Sequence, residues 1–485
     1  MRRRFFLRTL AVGGAAAALP ACGGGGSNAP APAPNPTSIS PGGVAAGIAI
    51  DQSTSSTALG SAFAGLSYEK SALSNPLFSA ANANLIGLFK ALGSGIVRIG
   101  GNSVDRTTWN QSGAGLSAGQ VSAADVNRLA GFLSAAGWRA IYGINFAGAN
   151  GSTASPALAA SEASYVASQL GANLLCFEIG NEPDLYGVSN ANEPSGYSYG
   201  DFLTGWRSFA SAIAQSVAGA VFTAPAAAGD SRQFAEDFAR DEAGTISLMT
   251  EHYYIGNGAT GTMSQMLAYP DTQLQPNLTK LASASSQYAV PYRLAEANSF
   301  YNGGAPGISD AFGSALWAIN FLFTLAQNSA VGANFHGGGN SSGYTPIADD
   351  GNGNVVGVRP LYYGIYLFAK AANGRLLAAT VTQNGVAFSG FAVAGADGST
   401  YVVANNFDLS QTAAVTVAVG KSASQAVLTS LTAPSTASTT GVTFGGSAIG
   451  LDGSWTPIVQ QTIAVLGGSF GFSLPAGSAV VARVT

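Results

Sequence analysis

Between residues 60 and 371 the sequence alternates short β-type runs with helical segments, and eight such units can be counted. The strand candidates are apolar runs of seven to ten residues at 62–69, 95–101, 139–148, 174–180, 220–226, 246–254, 291–299 and 329–337. Helical patterns separate them, for example 122–136, which begins with serine and is followed by glycine, and 201–217. Eight alternating units predict an α/β fold in which the strands close into a (β/α)₈ TIM barrel, in preference to an open sheet.

The pattern of apolar and turn residues changes after residue 371. Segment 372–485 consists of short alternating runs that are separated by turn residues, with no helical stretch. This pattern predicts an antiparallel β-sandwich domain. We also expect segment 44–59 to add a strand to that sandwich before the barrel begins.

The first 43 residues have the composition of a targeting segment and a tether. Residues 1–22 carry an arginine-rich start, a short apolar run and Cys22, and they resemble a twin-arginine export signal with a lipoprotein-type cysteine. The alternative is a plain export signal in which Cys22 is incidental. Residues 23–43 are rich in Gly, Ala and Pro and predict a flexible linker. We therefore expect an exported protein of the bacterial periplasm or cell surface, without a membrane-spanning helix and with a lipid anchor at Cys22.

Charge and residue usage exclude several classes of function. Four of the 20 basic residues lie in the export signal, which leaves 16 against 24 acidic residues and a net charge of −8. This balance argues against a nucleic-acid partner and against a grip on long polyanions. The chain has two cysteines, Cys22 and Cys176, and two histidines, His252 and His336, so we predict no disulfide framework, no metal site and no cofactor.

Two of the predicted strands end in a carboxylate. Glu182 follows the fourth strand in the string LLCFEIGNEP, and Glu296 lies in the seventh strand, in the string PYRLAEANSF. The carboxyl ends of barrel strands meet at one face, where barrel enzymes carry their active sites. A pair of carboxylates is what cleavage of a glycosidic bond requires. The pair therefore predicts a glycosidase, and its placement across the mouth of the barrel favours a retaining one.

Context separates Glu182 from other acidic residues. A second Asn-Glu-Pro string, at 192–194, follows no apolar strand, so we interpret Glu193 as a solvated loop residue. From its residues alone, Glu182 is as well explained by a turn as by catalysis. Glu178 and Arg98 are charged residues within apolar strands, and since neither should be buried alone we predict that Arg98 pairs with Glu178 or supports Glu296. The alternative places Glu178 against the outer helices.

Four strings along the barrel resemble the motifs of glycoside hydrolase family 79, the β-glucuronidases and heparanase-like enzymes. They are VRIGGN at 97–102, FEIGNEPD at 177–184, EHYYIGNG at 251–258 and AEANSFYNGGAPGISDAF at 295–312. The resemblance covers the whole barrel in the family's order, and the family also has a sandwich after the barrel. It implies that Glu182 is the acid/base and Glu296 the nucleophile of a retaining mechanism.

The resemblance also implies a set of residues that contact the substrate. Asn181 suits a hydrogen bond to the sugar 2-hydroxyl, with a turn-forming role as the alternative, and Tyr254 suits one to the nucleophile. The family recognises the sugar carboxylate with tyrosines and the backbone amides of a glycine turn, which here correspond to Tyr301, Asn302, Gly303 and Tyr344, although asparagine replaces the family's glycine at 302. Further pocket candidates are His252, Asn102 and Glu69; for the last two a capping or loop role is equally well supported.

Three functions follow as hypotheses. The first is a retaining β-glucuronidase that acts on glucuronides or glycans containing uronic acid. The second is an endo-acting, heparanase-like glycosidase, which the net charge of −8 disfavours because sulfated polymers call for a basic cleft. The third is a surface carbohydrate-binding protein without catalysis, which loss of either carboxylate would support. Each has a carbohydrate as its partner and meets a membrane only through a lipid on Cys22.

Overall fold

The computed structural model describes residues 42–188 and 192–485, so the predicted export signal and nearly all of the linker lie outside the described residues. The strands are, in chain order, β1 (Val44–Leu59), β2 (Ala64–Glu69), β3 (Ile96–Gly100), β4 (Thr108–Trp109), β5 (Gln120–Val121), β6 (Arg139–Ile144), β7 (Leu174–Ile179), β8 (Phe222–Ala227), β9 (Ile246–Asn257), β10 (Tyr292–Tyr301), β11 (Ala333–Gly337), β12 (Ile347–Asp349), β13 (Val355–Val358), β14 (Gly374–Thr382), β15 (Phe388–Gly395), β16 (Thr400–Asn406), β17 (Ala413–Ala418), β18 (Gln425–Thr432), β19 (Thr443–Phe444), β20 (Gln461–Ala464), β21 (Ser469–Leu474) and β22 (Ser478–Val484). The α-helices are α1 (Ala83–Ala91), α2 (Ala123–Ala136), α3 (Pro156–Leu170), α4 (Tyr199–Ser216), α5 (Phe234–Glu242), α6 (Met263–Met266), α7 (Leu274–Tyr288), α8 (Gly313–Gln327) and α9 (Pro360–Ala371).

The predicted barrel is confirmed. Eight parallel strands, β2, β3 and β6 to β11, close into a ring in which β11 pairs with β2. Each of the eight predicted runs overlaps one of these strands. Their near-continuous apolar sequences suit strands that are covered by helices outside and by packed side chains inside.

Local sequence sets the ends of the barrel helices. Helix α2 begins with a capping box in which Ser122 and Asp125 exchange side-chain and backbone hydrogen bonds. It ends at Gly137, whose left-handed φ of 72° costs glycine little. The serine start and glycine stop predicted for this helix are both present, and they direct the chain into β6.

The second domain is a ten-stranded sheet in the order β19-β18-β22-β16-β15-β14-β1-β17-β21, with β20 beside β18. Side chains from β18, near one end of this path, and from β21, at the other end, share one hydrophobic cluster, as in a sandwich, whereas buried residues such as Phe391 and Val403 belong to the cluster that also contains the barrel core. Most pairs are antiparallel, as predicted, but β1 pairs with β17 in parallel. Strand β1 precedes the barrel in the chain and lies between β14 and β17. It is antiparallel to β14 and parallel to β17 because these two strands run in opposite directions.

Helix α8 joins the two domains. All its residues from Gly313 to Ala326 are buried, because one side faces the barrel and the other faces the sheet. Trp317 packs edge-on against Phe335 of β11, while Phe323 stacks on Phe391 of β15 with ring centroids 4.4 Å apart. Neither α8 nor any other helix in the described ranges combines the length and the apolar character needed to cross a membrane.

Candidate active site

A cavity of about 920 Å³ opens at the carboxyl ends of the barrel strands. Nine of the eleven residues predicted for the site line it: Glu69, Asn102, Glu182, Tyr254, Glu296, Tyr301, Asn302, Gly303 and Tyr344. The other two, Asn181 and His252, are buried behind its wall, with exposed fractions of 2% and 0%. Their strand-end positions therefore predicted that these two side chains lie near the cavity, but not that they are buried behind its wall.

Glu182 lies three residues beyond the end of β7 in a left-handed backbone conformation, with φ 52° and ψ 52°. Its amide donates to the carbonyl of Ala226 on β8. Oε1 of its carboxyl lies 2.9 Å from Nδ1 of His252. His252 thus contacts the candidate acid from the buried side of the cavity wall. The prediction that His252 lies in the pocket is corrected accordingly.

Both oxygens of Glu296 have partners. The hydroxyl of Tyr254 donates to Oε1 at 2.7 Å, and Nη1 of Arg98 donates to Oε2 at the same distance. Oε2 also lies 3.6 Å from Nδ1 of His336. Two hydrogen-bond donors and a nearby imidazole around one carboxylate favour its ionised form.

The electrostatics of Glu296 agree with that geometry. Burial opposes the charge of this carboxylate, but the imidazoles of His336 and His252 and the guanidinium of Arg98 attract it. Together with the Tyr254 hydrogen bond they hold the pKa of Glu296 well below its usual range. The residue is therefore ionised over the whole range in which the protein is expected to work, as a nucleophile must be.

Arg98 links the two carboxylate sites from beneath the cavity. Its Nε donates to Glu178 at 2.5 Å and its Nη2 donates to Oδ1 of Asn181 at 2.8 Å, in addition to its bond with Glu296. The side chain of Arg98 is completely buried. The prediction that Arg98 pairs with Glu178 or supports Glu296 is confirmed on both counts, and the carboxylates balance a charge that would otherwise be costly to bury.

The two candidate catalytic carboxyls are close. An oxygen of Glu182 and an oxygen of Glu296 lie within 4.8 Å of each other. Retaining glycosidases keep their two carboxyl groups about 5–5.5 Å apart, whereas inverting ones need about 6.5–9.5 Å to admit a water molecule. The separation is that of a retaining pair.

Glu182, His252 and Glu296 are also near enough to one another to hold a cation. The hydrogen bonds of these residues indicate that their atoms bind other side chains in place of a metal. Tyr254 and Arg98 already occupy the oxygens of Glu296, and Nδ1 of His252 already faces Oε1 of Glu182. A metal bound here would have to displace a buried arginine from its carboxylate.

The wall predicted to recognise the sugar carboxylate is a pair of touching turns. Asn302 and Gly303 are left-handed, with φ 62° and 85°, and asparagine is among the side chains that tolerate this conformation best. The amide of Tyr344 donates to the carbonyl of Gly303 at 3.2 Å. A Cβ at Gly343 would lie 1.9 Å from the same carbonyl oxygen, so only glycine permits this approach. The ring of Tyr344 lies 6.0 Å from that of Tyr254.

Sequence reasoning missed three ionisable residues of the cavity lining: Arg106, Asp184 and His336. His336 is the second-to-last residue of the eighth barrel strand, a strand-end position like those of the other site residues. Burial opposes its charge, but Glu296 and Glu69 outweigh that effect and raise its pKa. His336 lies 3.6 Å from an oxygen of Glu69, and the other oxygen of Glu69 accepts the amide of Ser103. Glu69 is thereby fixed at the cavity edge.

Asp184 provides a test of these electrostatics. Its Oδ1 accepts the amide of Ala228 at 2.8 Å, while Oδ2 has no hydrogen-bond partner among the described residues. Burial raises the pKa of Asp184 from 3.8 to about 6, with the charge of Glu182 adding to the effect. The folded protein therefore binds this proton more tightly than the unfolded chain, and stability contributed by Asp184 falls as pH rises from about 4 to about 6.

We expect Asp184→Asn to remove this loss, because the amide keeps an oxygen for Ala228 but carries no charge. The difference in free energy of unfolding between the variant and wild type should be about 2 to 3 kcal/mol more favourable to the variant at pH 7.5 than at pH 4. Urea unfolding of both proteins at the two pH values measures the gain. A stability difference that does not change with pH would contradict the assignment.

Comparison with known proteins places this site in a wider group. No family model matches the chain. A β-glucuronidase of Aspergillus niger is 29% identical over 228 residues, 42% of each chain, and a β-glucuronidase of Neurospora crassa is 26% identical over 223 residues, 40% of this chain and 39% of the relative. The match thus spans about two fifths of the length of these curated relatives.

Solved structures share the fold over nearly the whole chain. A 4-O-α-L-rhamnosyl-β-D-glucuronidase from Fusarium oxysporum is 20% identical with a TM-score of 0.75, covering 90% of this chain and all of that one. A family 51 arabinofuranosidase from Xanthomonas axonopodis pv. citri is 16% identical with a TM-score of 0.67, covering 91% of this chain and all of that one. The fold is that of barrel-and-sandwich glycosidases, and the curated relatives confirm the resemblance to β-glucuronidases of the family 79 type that the four barrel motifs predict.

Proposed function

We propose that this protein is a retaining β-glucuronidase that hydrolyses β-linked glucuronic acid from glucuronides or glycans. The observation that carries the proposal is that an oxygen of Glu182, after β7, and an oxygen of Glu296, within β10, lie within 4.8 Å of each other. The β-glucuronidases among the curated relatives support the choice of sugar. No cofactor enters the mechanism.

The reaction proceeds in two balanced steps. Ionised Glu296 attacks the anomeric carbon while protonated Glu182 gives its proton to the glycosidic oxygen, so the bond from that carbon to oxygen breaks and the aglycone leaves as an alcohol. Glu182, now ionised, takes a proton from water, whose oxygen attacks the same carbon. The ester bond to Glu296 then breaks, which releases the sugar with its original configuration and restores both carboxyl groups.

Surrounding groups stabilise the ionised state of the nucleophile. Tyr254 and Arg98 stabilise the charge on Glu296, which favours the ionised nucleophile. Asn102 and Glu69 line the cavity at the ends of neighbouring strands and are placed to bind sugar hydroxyls. Tyr301, Tyr344 and the amides at 302 and 303 offer neutral donors to a sugar carboxylate, which suits a chain with 9% charged residues.

The charges of the cavity favour this function over the heparanase-like alternative. Four carboxylates line it, Glu69, Glu182, Asp184 and Glu296, and Arg106 is the one arginine or lysine among its lining residues. A sulfated polymer carries many anionic groups and would meet a single arginine and no lysine here, whereas one sugar carboxylate can be held by the neutral donors of Tyr301, Tyr344 and the turn amides. The third hypothesis, a binding protein without catalysis, is disfavoured by the retention of both carboxylates at a catalytic separation.

A set of p-nitrophenyl β-glycosides that differ only at C6 tests the proposal. We expect the carboxylate sugar to be cleaved with a kcat/KM at least about 100-fold above those of the hydroxymethyl and C6-lacking sugars, because both neutral analogues leave the carboxylate donors unpaired. Proton NMR of the first product should show the β anomer. Preference for a neutral sugar would refute the substrate, and an α product would refute the retaining mechanism.

Export and lipid anchoring at Cys22 belong to this proposal as well. The arginine-rich start and the cysteine that precedes a Gly-rich linker support them. An exported hydrolase would meet glycans outside the cell. Incorporation of labelled palmitate into the expressed protein, and its loss in Cys22→Ser, would support the anchor, whereas equal labelling of both proteins would exclude it.

A further inference from the structure

Three consecutive backbone amides lead into the candidate acid, and each donates to a different part of the fold. Gly180 donates to the carbonyl of Ile144 on β6 at 3.0 Å, and Glu182 donates to that of Ala226 on β8 at 2.8 Å. Between them, Asn181 donates to the side-chain hydroxyl of Tyr186 at 3.3 Å. The side chain of Tyr186 thus holds the middle of this stretch, and the Asn181 amide also interacts with the carboxyl of Asp105.

The backbone at this point needs such support. A non-glycine residue in the left-handed region, as Glu182 is, costs on the order of 1 kcal/mol or more and persists where its surroundings fix it. The direction of the Glu182 carboxyl follows directly from this backbone conformation. Any loss of restraint at Asn181 therefore changes where the proton donor points.

Tyr186 is itself held by Asp105, from the loop after β3. The hydroxyl of Tyr186 donates to Oδ2 of Asp105, and Oδ1 of Asp105 accepts the amides of Phe146 and Ala147 at 2.9 and 3.3 Å. The Tyr186 ring stacks on that of Phe146, with centroids 6.3 Å apart. Asp105 and Tyr186 are 1% and 0% exposed, and neither lines the cavity. One buried carboxylate therefore ties the loops after β3, β6 and β7 together.

We propose that Asp105 and Tyr186 are positioning residues for the acid: they fix the backbone of Asn181 and Glu182 so that the Glu182 carboxyl reaches the leaving-group oxygen. This inference rests on the proposed glycosidase function. Glu296 is held separately, by Tyr254 and Arg98. Weakening the Asp105–Tyr186 pair should therefore impair proton donation more than nucleophilic attack.

The dependence of rate on the leaving group tests the proposal. Wild type and Tyr186→Phe are compared on aryl β-glycosides whose phenols have pKa values from about 4 to about 10, since poor leaving groups need the proton and good ones do not. We expect kcat/KM to fall by about 10-fold or more for the poorest leaving group and by less than about 3-fold for the best. The plot of log kcat/KM against leaving-group pKa should become steeper.

Tyr197→Phe is a matched control. The ring of Tyr197 lies 5.6 Å from that of Tyr186, and its hydroxyl has no hydrogen-bond partner among the described residues. Its removal should leave the slope unchanged. Asp105→Asn, which keeps the shape of the side chain, should steepen the slope in the same direction and provides the test if Tyr186→Phe fails to fold.

Two results would overturn the inference. An equal loss of kcat/KM for all leaving groups in Tyr186→Phe would show a purely structural role, and an unchanged slope at full activity would show no role. The series is built on whichever β-glycoside wild type cleaves. Failure on glucuronides alone would therefore refute the proposed substrate and leave the slope test intact.

Discussion

Replacing Glu296 with alanine is expected to abolish hydrolysis of aryl β-glucuronides while leaving the protein folded. Without the carboxylate there is no atom to bond to the anomeric carbon, and kcat/KM should fall by about 10⁵-fold or more, the order of loss seen when a covalent nucleophile is removed from an enzyme. Activity assays with thermal unfolding of the same preparation measure both effects. Arg98 retains Glu178 as a partner in this variant, so its buried charge stays paired.

Adding azide to Glu296→Ala tests whether the missing carboxylate is the nucleophile. In Glu296→Ala the vacated space lies beneath the anomeric carbon, so azide should attack from that side and yield the α-glycosyl azide. Activity within about 10-fold of wild type in Glu296→Ala would refute the nucleophile assignment. The matched control is Glu193→Ala, which alters the acidic residue of the second Asn-Glu-Pro string, a half-buried loop residue outside the cavity.

Replacing Glu182 with alanine is expected to separate substrates by their leaving groups. For natural glycosides, whose alcohols must be protonated to leave, kcat/KM should fall by about 10² to 10⁴-fold, the usual contribution of a general acid. For a dinitrophenyl glucuronide kcat/KM should change by less than about 10-fold, because that phenolate leaves without a proton. Hydrolysis of the glycosyl-enzyme should become slow, since no base activates the water.

Azide again supplies the contrasting result. It needs no base, so it should restore turnover of the activated substrate by Glu182→Ala and give the β-glycosyl azide, opposite in configuration to the product from Glu296→Ala. Wild-type rates of Glu182→Ala on natural glycosides would show that the acid assignment is wrong. The His252 contact predicts a further detail: Glu182→Gln, which keeps a hydrogen-bonding side chain against Nδ1, should fold as stably as wild type.

The barrel was predictable because its signals are local. Each β run and each helix between runs carries its own periodicity, and Ser122 with Gly137 marks the two ends of α2 within a few residues. The third and eighth strands were the least accurate: the run 139–148 extends beyond β6, which ends at Ile144, and the run 329–337 begins before β11, which starts at Ala333. The turn that joins α8 to β11 contains Ser329 in a left-handed conformation, which an apolar pattern does not reveal.

Pairings between distant segments were not predictable in the same way. Strand β1 lies beside β17, and the residues paired there, such as Val44 and Ala413, are separated by the whole barrel. Asp105 and Tyr186 likewise meet across the loops of two different strands. Such contacts depend on how complete elements pack, and a single sequence holds no local sign of them.

By itself the sequence determined the order of the elements, the two carboxylates and the rim on which they lie, because strand periodicity and barrel topology bring every strand's carboxyl end to one face. Whether each strand-end side chain faces the cavity could be read from the folded structure alone: Glu182 and Tyr254 face it, whereas His252 is buried behind it. The reason is that side-chain direction depends on the twist of the barrel and on left-handed steps such as Glu182, and neither is encoded in residue type. The separation of the two carboxylates is likewise a property of the closed ring.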